Sequence, residues 1–342
     1  MKDLWDNLKT ARKPIVLYGM GNGADLVLSV CEKYGIKVSG VFASEGFVRD
    51  KTFHGMPVTG YAEARRRFGD MIVLLCFGTS RREVLDNIMR IASENELYAP
   101  DVPVCGGGLF CREYYEARGA DFDKIYPLLA DETSKNTFNN IIMYKLSGDI
   151  KYLLDCETDE NEPFETFLHL TGNEDYLDLG AYRGDTVLSF VNRTGGYKSI
   201  VAVEPDIKSY KKLCDTAAKL ENVVALNAFA GEGEGTRILN MNGSRGGGAF
   251  GGRGEVKIIS ADSLGRDFSF VKMDIEGDEG AAIAGAADLI RRARPKMQIA
   301  AYHRHGDLLD IPAAVLGIRD DYKIYLRHRR CLPAWDVDYF FI

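Results

Sequence analysis

Tyr176-Leu-Asp-Leu-Gly-Ala-Tyr-Arg-Gly-Asp185, with Val201-Ala-Val-Glu204-Pro205 downstream, decides the reading of this chain. The first segment is an apolar strand running into a glycine turn and the start of a helix. The second is another apolar strand, and it ends in an acid. Glycine lets the backbone turn sharply and approach a ligand closely at a strand end, which is the use expected of Gly180 and Gly184. Glu204 lies 20 residues beyond Gly184, the separation at which an acid meets a ribose diol in strand-turn-helix nucleotide sites.

The turn reads Asp-x-Gly-x-x-x-Gly-Asp, with carboxylates at Asp178 and Asp185. Acids at these positions repel a pyrophosphate and suit a cation. The ligand that combines a positive sulfonium, a positive amino group and a ribose diol is S-adenosylmethionine. The expected cofactor set is Asp178, Gly180, Gly184, Asp185, Glu204 and Pro205, with Asn227 and Ala228 meeting the adenine at the end of a third strand, Val223 to Leu226. A structural turn that binds nothing is the alternative.

A second cluster, Phe270-Val-Lys272-Met-Asp274-Ile-Glu276-Gly277-Asp278-Glu279, reads as a strand ending in carboxylates, followed by a helix from Ala281 to Ile290. Lys272, Asp274 and Glu276 are expected to share a strand face, and Glu279 to sit in the first helical turn. The next strand, Lys296 to Tyr302, delivers His303 to the same crevice. Transfer of a methyl group to an oxygen needs an in-line approach and a nucleophile relieved of its proton. His303 is the candidate base by its ordinary pKa and Asp274 the next, with Lys272, Glu276 and Glu279 beside them. A divalent ion on Asp274, Glu276 or Glu279 and His303 is a weaker reading, because the ligand spacing is not diagnostic. Asp278 reads as a solvated carboxylate and Asp262 as the cap of its own helix.

These elements occur in one order: Asp178 to Asp185, Glu204-Pro205, Asn227-Ala228, Asp262-Ser263-Leu264, Lys272 to Glu279 and Tyr302-His303. In that order they resemble the FkbM-type methyltransferases, over residues from about 174 to 325. The resemblance implies S-adenosylmethionine-dependent O-methylation, commonly of a sugar or natural-product hydroxyl. It also implies the division above into cofactor residues and acceptor-side residues. The glycine-rich stretch Gly243 to Gly254, with Arg245 and Arg253 as candidate anion contacts, departs from the family pattern.

The 342 residues suit two domains, and alternating strands and helices make the fold class α/β. We expect a doubly wound Rossmann-like methyltransferase domain at 163–342, preceded by a smaller parallel-sheet Rossmann-like domain at 1–125 and a helical connector at 126–162. The first domain opens with a strand, Pro14 to Tyr18, and the turn Gly19-Met-Gly21-Asn-Gly23. Ser44, Gly78 and Thr79 are placed to touch a nucleotide or nucleotide-sugar if that turn holds one; a structural turn is the other reading. A net charge of −7 argues against a broad nucleic-acid surface, and the basic groups Arg65 to Arg67 and Arg327, Arg329 and Arg330 read as solvated faces. Seven scattered cysteines fit a reducing compartment. With no apolar segment of signal or membrane-spanning length, the sequence points to a cytoplasmic protein with a small-molecule or carbohydrate acceptor and no membrane partner. Homo-oligomerisation stays open. Two other functions compete on sequence: a nicotinamide-dependent sugar oxidoreductase, which lacks a Tyr-x-x-x-Lys dyad, and a non-catalytic cofactor-binding regulator.

Overall fold

The apolar run Tyr176-Leu-Asp-Leu179 becomes a central strand, Asp175–Leu179, because a strand flanked by parallel neighbours is buried on both faces. In the computed structural model, which describes residues 3–48, 52–103, 105–238 and 255–342, it lies fifth in a seven-stranded sheet. The order across that sheet is Ile324–His328, Val337–Phe341, Lys296–Ala300, Phe270–Met273, Asp175–Leu179, Ser199–Val203 and Val223–Leu226. Lys296–Ala300 through Val223–Leu226 pair in parallel, and Val337–Phe341 runs antiparallel to Lys296–Ala300. The result is a Rossmann-like sheet whose strand ends carry both expected clusters. Tyr176 stacks on Phe190 of the following helix at 4.4 Å and on Phe270 of the neighbouring strand at 5.1 Å, which locks helix to sheet.

Several expectations change in detail. A separate three-stranded sheet, made of Ala228–Ala230, Glu255–Ile259 and Gly235–Ile238, joins the doubly wound sheet expected for this part of the chain. The single helix expected over Ala281 to Ile290 is two, Glu279–Ala284 and Ala287–Ala293. Asp262 caps the second of these instead of its own short turn, accepting from the Asp288 and Leu289 amides at 3.0 and 2.8 Å. The glycine-rich stretch, with Arg245 and Arg253, lies outside the described residues.

Contacts gather the chain into two units. One comprises Met1–Asp123, Lys135–Thr158 and His328–Asp336, and the other Lys124–Ser134, Asp159–Arg327 and Val337–Ile342. The linear bounds 1–125, 126–162 and 163–342 therefore differ from the contact units, which are discontinuous.

Within the first unit the six-stranded sheet runs Thr52–Phe53, Met56–Gly60, Val38–Ala43, Ile15–Tyr18, Ile72–Leu75 and Glu96–Tyr98. No strand forms at Val102 and Pro103. A Cβ on Gly23 would stand 2.2 Å from the Cys76 carbonyl oxygen, so close helix-to-strand packing requires that glycine. The chain itself engages the positions that a ligand in this turn would touch. A Cβ on Gly78 would meet the Trp335 ring at 2.1 Å, Thr79 bridges Leu332, and the Ser44 hydroxyl lies 2.7 Å from that of Tyr18. None of the seven cysteines is joined in a disulfide. Among the described residues no helix is long and apolar enough to cross a membrane.

The basic group at the C-terminus divides. Arg327 is 2% exposed, not solvated. Its guanidinium donates to Asp131 and Glu162, with closest approaches of 2.7 Å to each, and to the Ser134 hydroxyl at 2.8 Å. A planar fork of donors suits this paired recognition of two carboxylates.

Candidate active site

The glycine turn is held by its own chain. Gly180 has φ of 88°, and a Cβ there would lie 1.9 Å from the Asp274 carbonyl oxygen. The turn thus presses against the end of the neighbouring strand, and no other residue fits. Gly184, also at φ 88°, precedes the helix Asp185–Thr194, whose first turn carries the exposed Asp185 where the helix dipole favours an acid. Asp178 is fully buried, and its Oδ2 accepts from the Thr186 hydroxyl. Its Oδ1 accepts no hydrogen bond among the described residues and lies 3.9 Å from the Lys272 ammonium. Burial raises the Asp178 pKa against the opposing pull of Lys272 and Thr186.

Glu204 stands at the end of the adjacent strand, 8% exposed. One oxygen accepts from the Tyr182 amide at 2.9 Å and the other from the Asp206 amide at 2.8 Å. Each oxygen keeps a further lone pair for a ligand hydroxyl. Burial pushes this carboxyl up to about 7; the two amides work against that, while the charges of Asp206 and Asp178 add to it. Asn227 donates to the Glu204 and Pro205 carbonyls at 2.9 Å each, so its amide braces the Glu-Pro turn. Ala228 is buried at the start of its own short strand.

The acidic cluster follows. The strand ends at Met273, so of Lys272, Asp274 and Glu276 only Lys272 remains on it, and the three do not share a strand face. Lys272 is in register with Asp178 and Gln298, and its ammonium reaches within 3.7 Å of Asp274. Asp274 is one-third exposed; one of its oxygens accepts from the Tyr302 hydroxyl at 3.1 Å and lies 3.4 Å from His303 Nε2. Glu276 takes φ of 58° and turns its more exposed carboxylate to within 3.6 Å of the same nitrogen.

His303 itself is wholly enclosed. Its Nδ1 lies 2.9 Å from Glu279, which is buried and also accepts from the Ile275 amide at 2.9 Å. Burial favours the neutral imidazole, yet Glu279, Asp274 and Glu276 together raise its pKa. The expected base is therefore a buried ring behind Asp274, paired with Glu279, and Asp274 is the group that solvent can reach. Asp278 is not simply solvated: it pairs with Arg237 and lies 3.8 Å from Arg304.

Asp274, Glu279 and His303 bring ligand-type atoms within 4.8 Å of one another. Of the two ring nitrogens, Nδ1 faces Glu279 and Nε2 faces Asp274. Sequence reasoning missed Thr186, Tyr182 and Asp206, although all three stand within or beside the quoted segments. Their contributions are a short hydroxyl and two backbone amides, which residue type alone does not announce.

Residues 178–319 match the profile of the methyltransferase FkbM domain. The fold is similar to the crystal structure of a methyltransferase FkbM from Methylobacillus flagellatus KT, with a TM-score of 0.74 and 21% identity over 96% of this chain and 90% of that one. The likeness in fold thus extends to the N-terminal sheet. A weaker similarity, with a TM-score of 0.35 and 12% identity over 50% of this chain and 67% of the other, is to Aeropyrum pernix fibrillarin in complex with S-adenosyl-L-methionine. Among curated proteins no match is found. The chain is an S-adenosylmethionine-dependent methyltransferase. Its C-terminal part carries an FkbM-type methyltransferase domain, the more particular identity that the matched segment supports.

Proposed function

We propose that this methyltransferase acts on a hydroxyl of a sugar, nucleotide-sugar or related small metabolite, with Asp274 as the group that meets the acceptor. The observation that carries the reading is the layering of the acidic cluster. Asp274 is partly open to solvent, while His303 and Glu279 behind it are enclosed.

The residues at the two strand ends fit S-adenosylmethionine. Asp178 offers a buried carboxylate oxygen with no hydrogen bond among the described residues, suited to a cationic amino group, and Glu204 keeps lone pairs for a diol. In this reading Gly180, Gly184, Asp185, Pro205, Asn227 and Ala228 frame the same site. When bound, the cofactor supplies a methyl carbon made electrophilic by a sulfonium. Asp274 accepts the acceptor's hydroxyl hydrogen, directs the oxygen and takes the proton as the new O–C bond forms. Tyr302 fixes the orientation of the carboxylate, and Lys272 keeps it ionised until then. The His303–Glu279 pair backs Asp274 from the enclosed side, a positioning role consistent with an imidazole that solvent does not reach.

The test is incubation of the full chain with S-adenosylmethionine and a panel of hexoses, nucleoside diphosphate sugars and oligosaccharides. Mass spectrometry should detect a methyl ether together with S-adenosylhomocysteine. Turnover restricted to amine or carbon acceptors would overturn the O-methylation reading.

A further inference from the structure

A cavity of about 160 Å³ lies wholly within the first unit. Arg82, Leu85, Asp86 and Met89 line it from one face of the helix Arg82–Glu94, at the spacing of successive turns. Leu153 and Leu154 come from the short helix Lys151–Leu154, and His328 and Leu332 from the C-terminal segment that returns to this unit. Its volume is comparable to the roughly 150 Å³ of an apolar cavity that accepts one benzene ring. Met89 and Leu154 are 39% and 40% exposed, large apolar side chains left at the surface beside the cavity.

One lining residue is polar and buried with an unmet hydrogen-bonding need. His328 is 1% exposed and donates a hydrogen bond to the Asp336 backbone carbonyl. Its Nδ1 has no partner among the described residues. Donation to Asp336 therefore falls to Nε2, which leaves Nδ1 as an acceptor in the neutral tautomer. Burial lowers the imidazole pKa to about 4, so the ring is neutral at physiological pH. A buried polar atom without a partner is costly, and native structures normally provide one. The charged groups around the cavity do not fill this role. Neither lining guanidinium, Arg82 nor Arg330, bonds this nitrogen, Arg330 pairs with Glu157 at 2.8 Å, and carboxylates such as Asp86 have no hydrogen to donate.

We propose that this cavity is a binding site for a small, neutral, largely apolar molecule carrying one O–H or N–H donor, which bonds His328 Nδ1 while Leu85, Met89, Leu153 and Leu332 enclose its body. Leu and Met side chains supply apolar contact, and Met adapts readily to an irregular guest. The site involves none of the residues assigned to methyl transfer, so it stands or falls independently of the acceptor reading.

Phenol and toluene are the probes, equal in heavy-atom count and different in the donor. Calorimetric titration of the full chain should show phenol binding about fivefold to tenfold tighter than toluene, the scale of one net hydrogen bond. Met89→Trp, at a partly exposed position, should fill the cavity and abolish phenol binding without lowering the unfolding temperature. His328→Leu, where it folds, should erase the preference between the two probes. Equal affinity for both probes, no binding of either, or phenol binding that survives Met89→Trp would overturn the proposal.

Discussion

Glu204 offers a direct test of where the cofactor sits. Its carboxyl is pushed up to about 7 by burial at a strand end, with two backbone amides holding it down and two nearby acids holding it up. A ribose diol donates two hydrogens, so the competent form of the site is the ionised one. With a pKa of about 7, roughly one site in eleven is ionised at pH 6 and about ten in eleven at pH 8. S-adenosylmethionine should therefore bind about tenfold more weakly at pH 6 than at pH 8, a difference of about 1.4 kcal/mol. Calorimetry at pH 6, 7 and 8 measures this directly. Glu204→Gln is the reference, because it cannot ionise and removes any contribution from titration of the cofactor. The variant should bind weakly and lose this component of the pH slope. In wild type at pH 6, titrations in two buffers of different ionisation enthalpy should report release of close to one proton. An affinity constant within twofold from pH 6 to 8, or an equal slope in the Gln variant, refutes the placement. The linkage to folding has the opposite sense. The folded chain retains this proton between about 4.5 and 7, so the group favours the fold most at low pH and loses that contribution as pH rises through 7.

Asp274→Asn should lower kcat by about 10²–10⁴ while leaving cofactor affinity nearly unchanged, a split that single-turnover kinetics and calorimetry resolve. Glu279→Gln leaves the buried His303 without its nearest carboxylate and should cost about 3–5 kcal/mol in urea unfolding. His303's pKa is raised in the fold, so this loss should be fully present below about pH 6.5 and fade as pH rises through the folded value. Gly180→Ala places a Cβ 1.9 Å from a backbone carbonyl at a φ of 88°, and should destabilise by more than about 4 kcal/mol, read as a loss of soluble folded protein or a large fall in Tm. Arg327→Met, which strips Asp131 and Glu162 of their shared cation, should cost about 3 kcal/mol; a change below about 0.5 kcal/mol would indicate that the pair contributes little to folding.

The C-terminal architecture was legible because its signals are local. An apolar run, a glycine turn and an acid at the next strand end lie close together in the chain, and each depends on backbone geometry that sequence spacing predicts. The Asp274 to Glu279 cluster was legible for the same reason. Within these stretches the misreading came where a strand stopped: Met273 is its last residue, so Asp274 and Glu276 lie beyond it and do not share the strand face of Lys272.

What only the tertiary structure decided depends on residues remote in sequence. Arg327 looks like part of a solvated basic group until Asp131 and Glu162 arrive from more than 160 positions away. Asp262 caps a helix that begins 25 residues later, and Gly78 receives the Trp335 ring, where a ligand contact was one of two readings. His303 carries the ordinary pKa of a base in the sequence; in the fold it is completely buried, and three carboxylates raise its pKa against that burial. Residue type and spacing set which chemistry a chain carries, whereas burial and the identity of distant neighbours set the charge state and reach of each group. These last two come from packing, and packing joins parts of the chain that no local pattern connects.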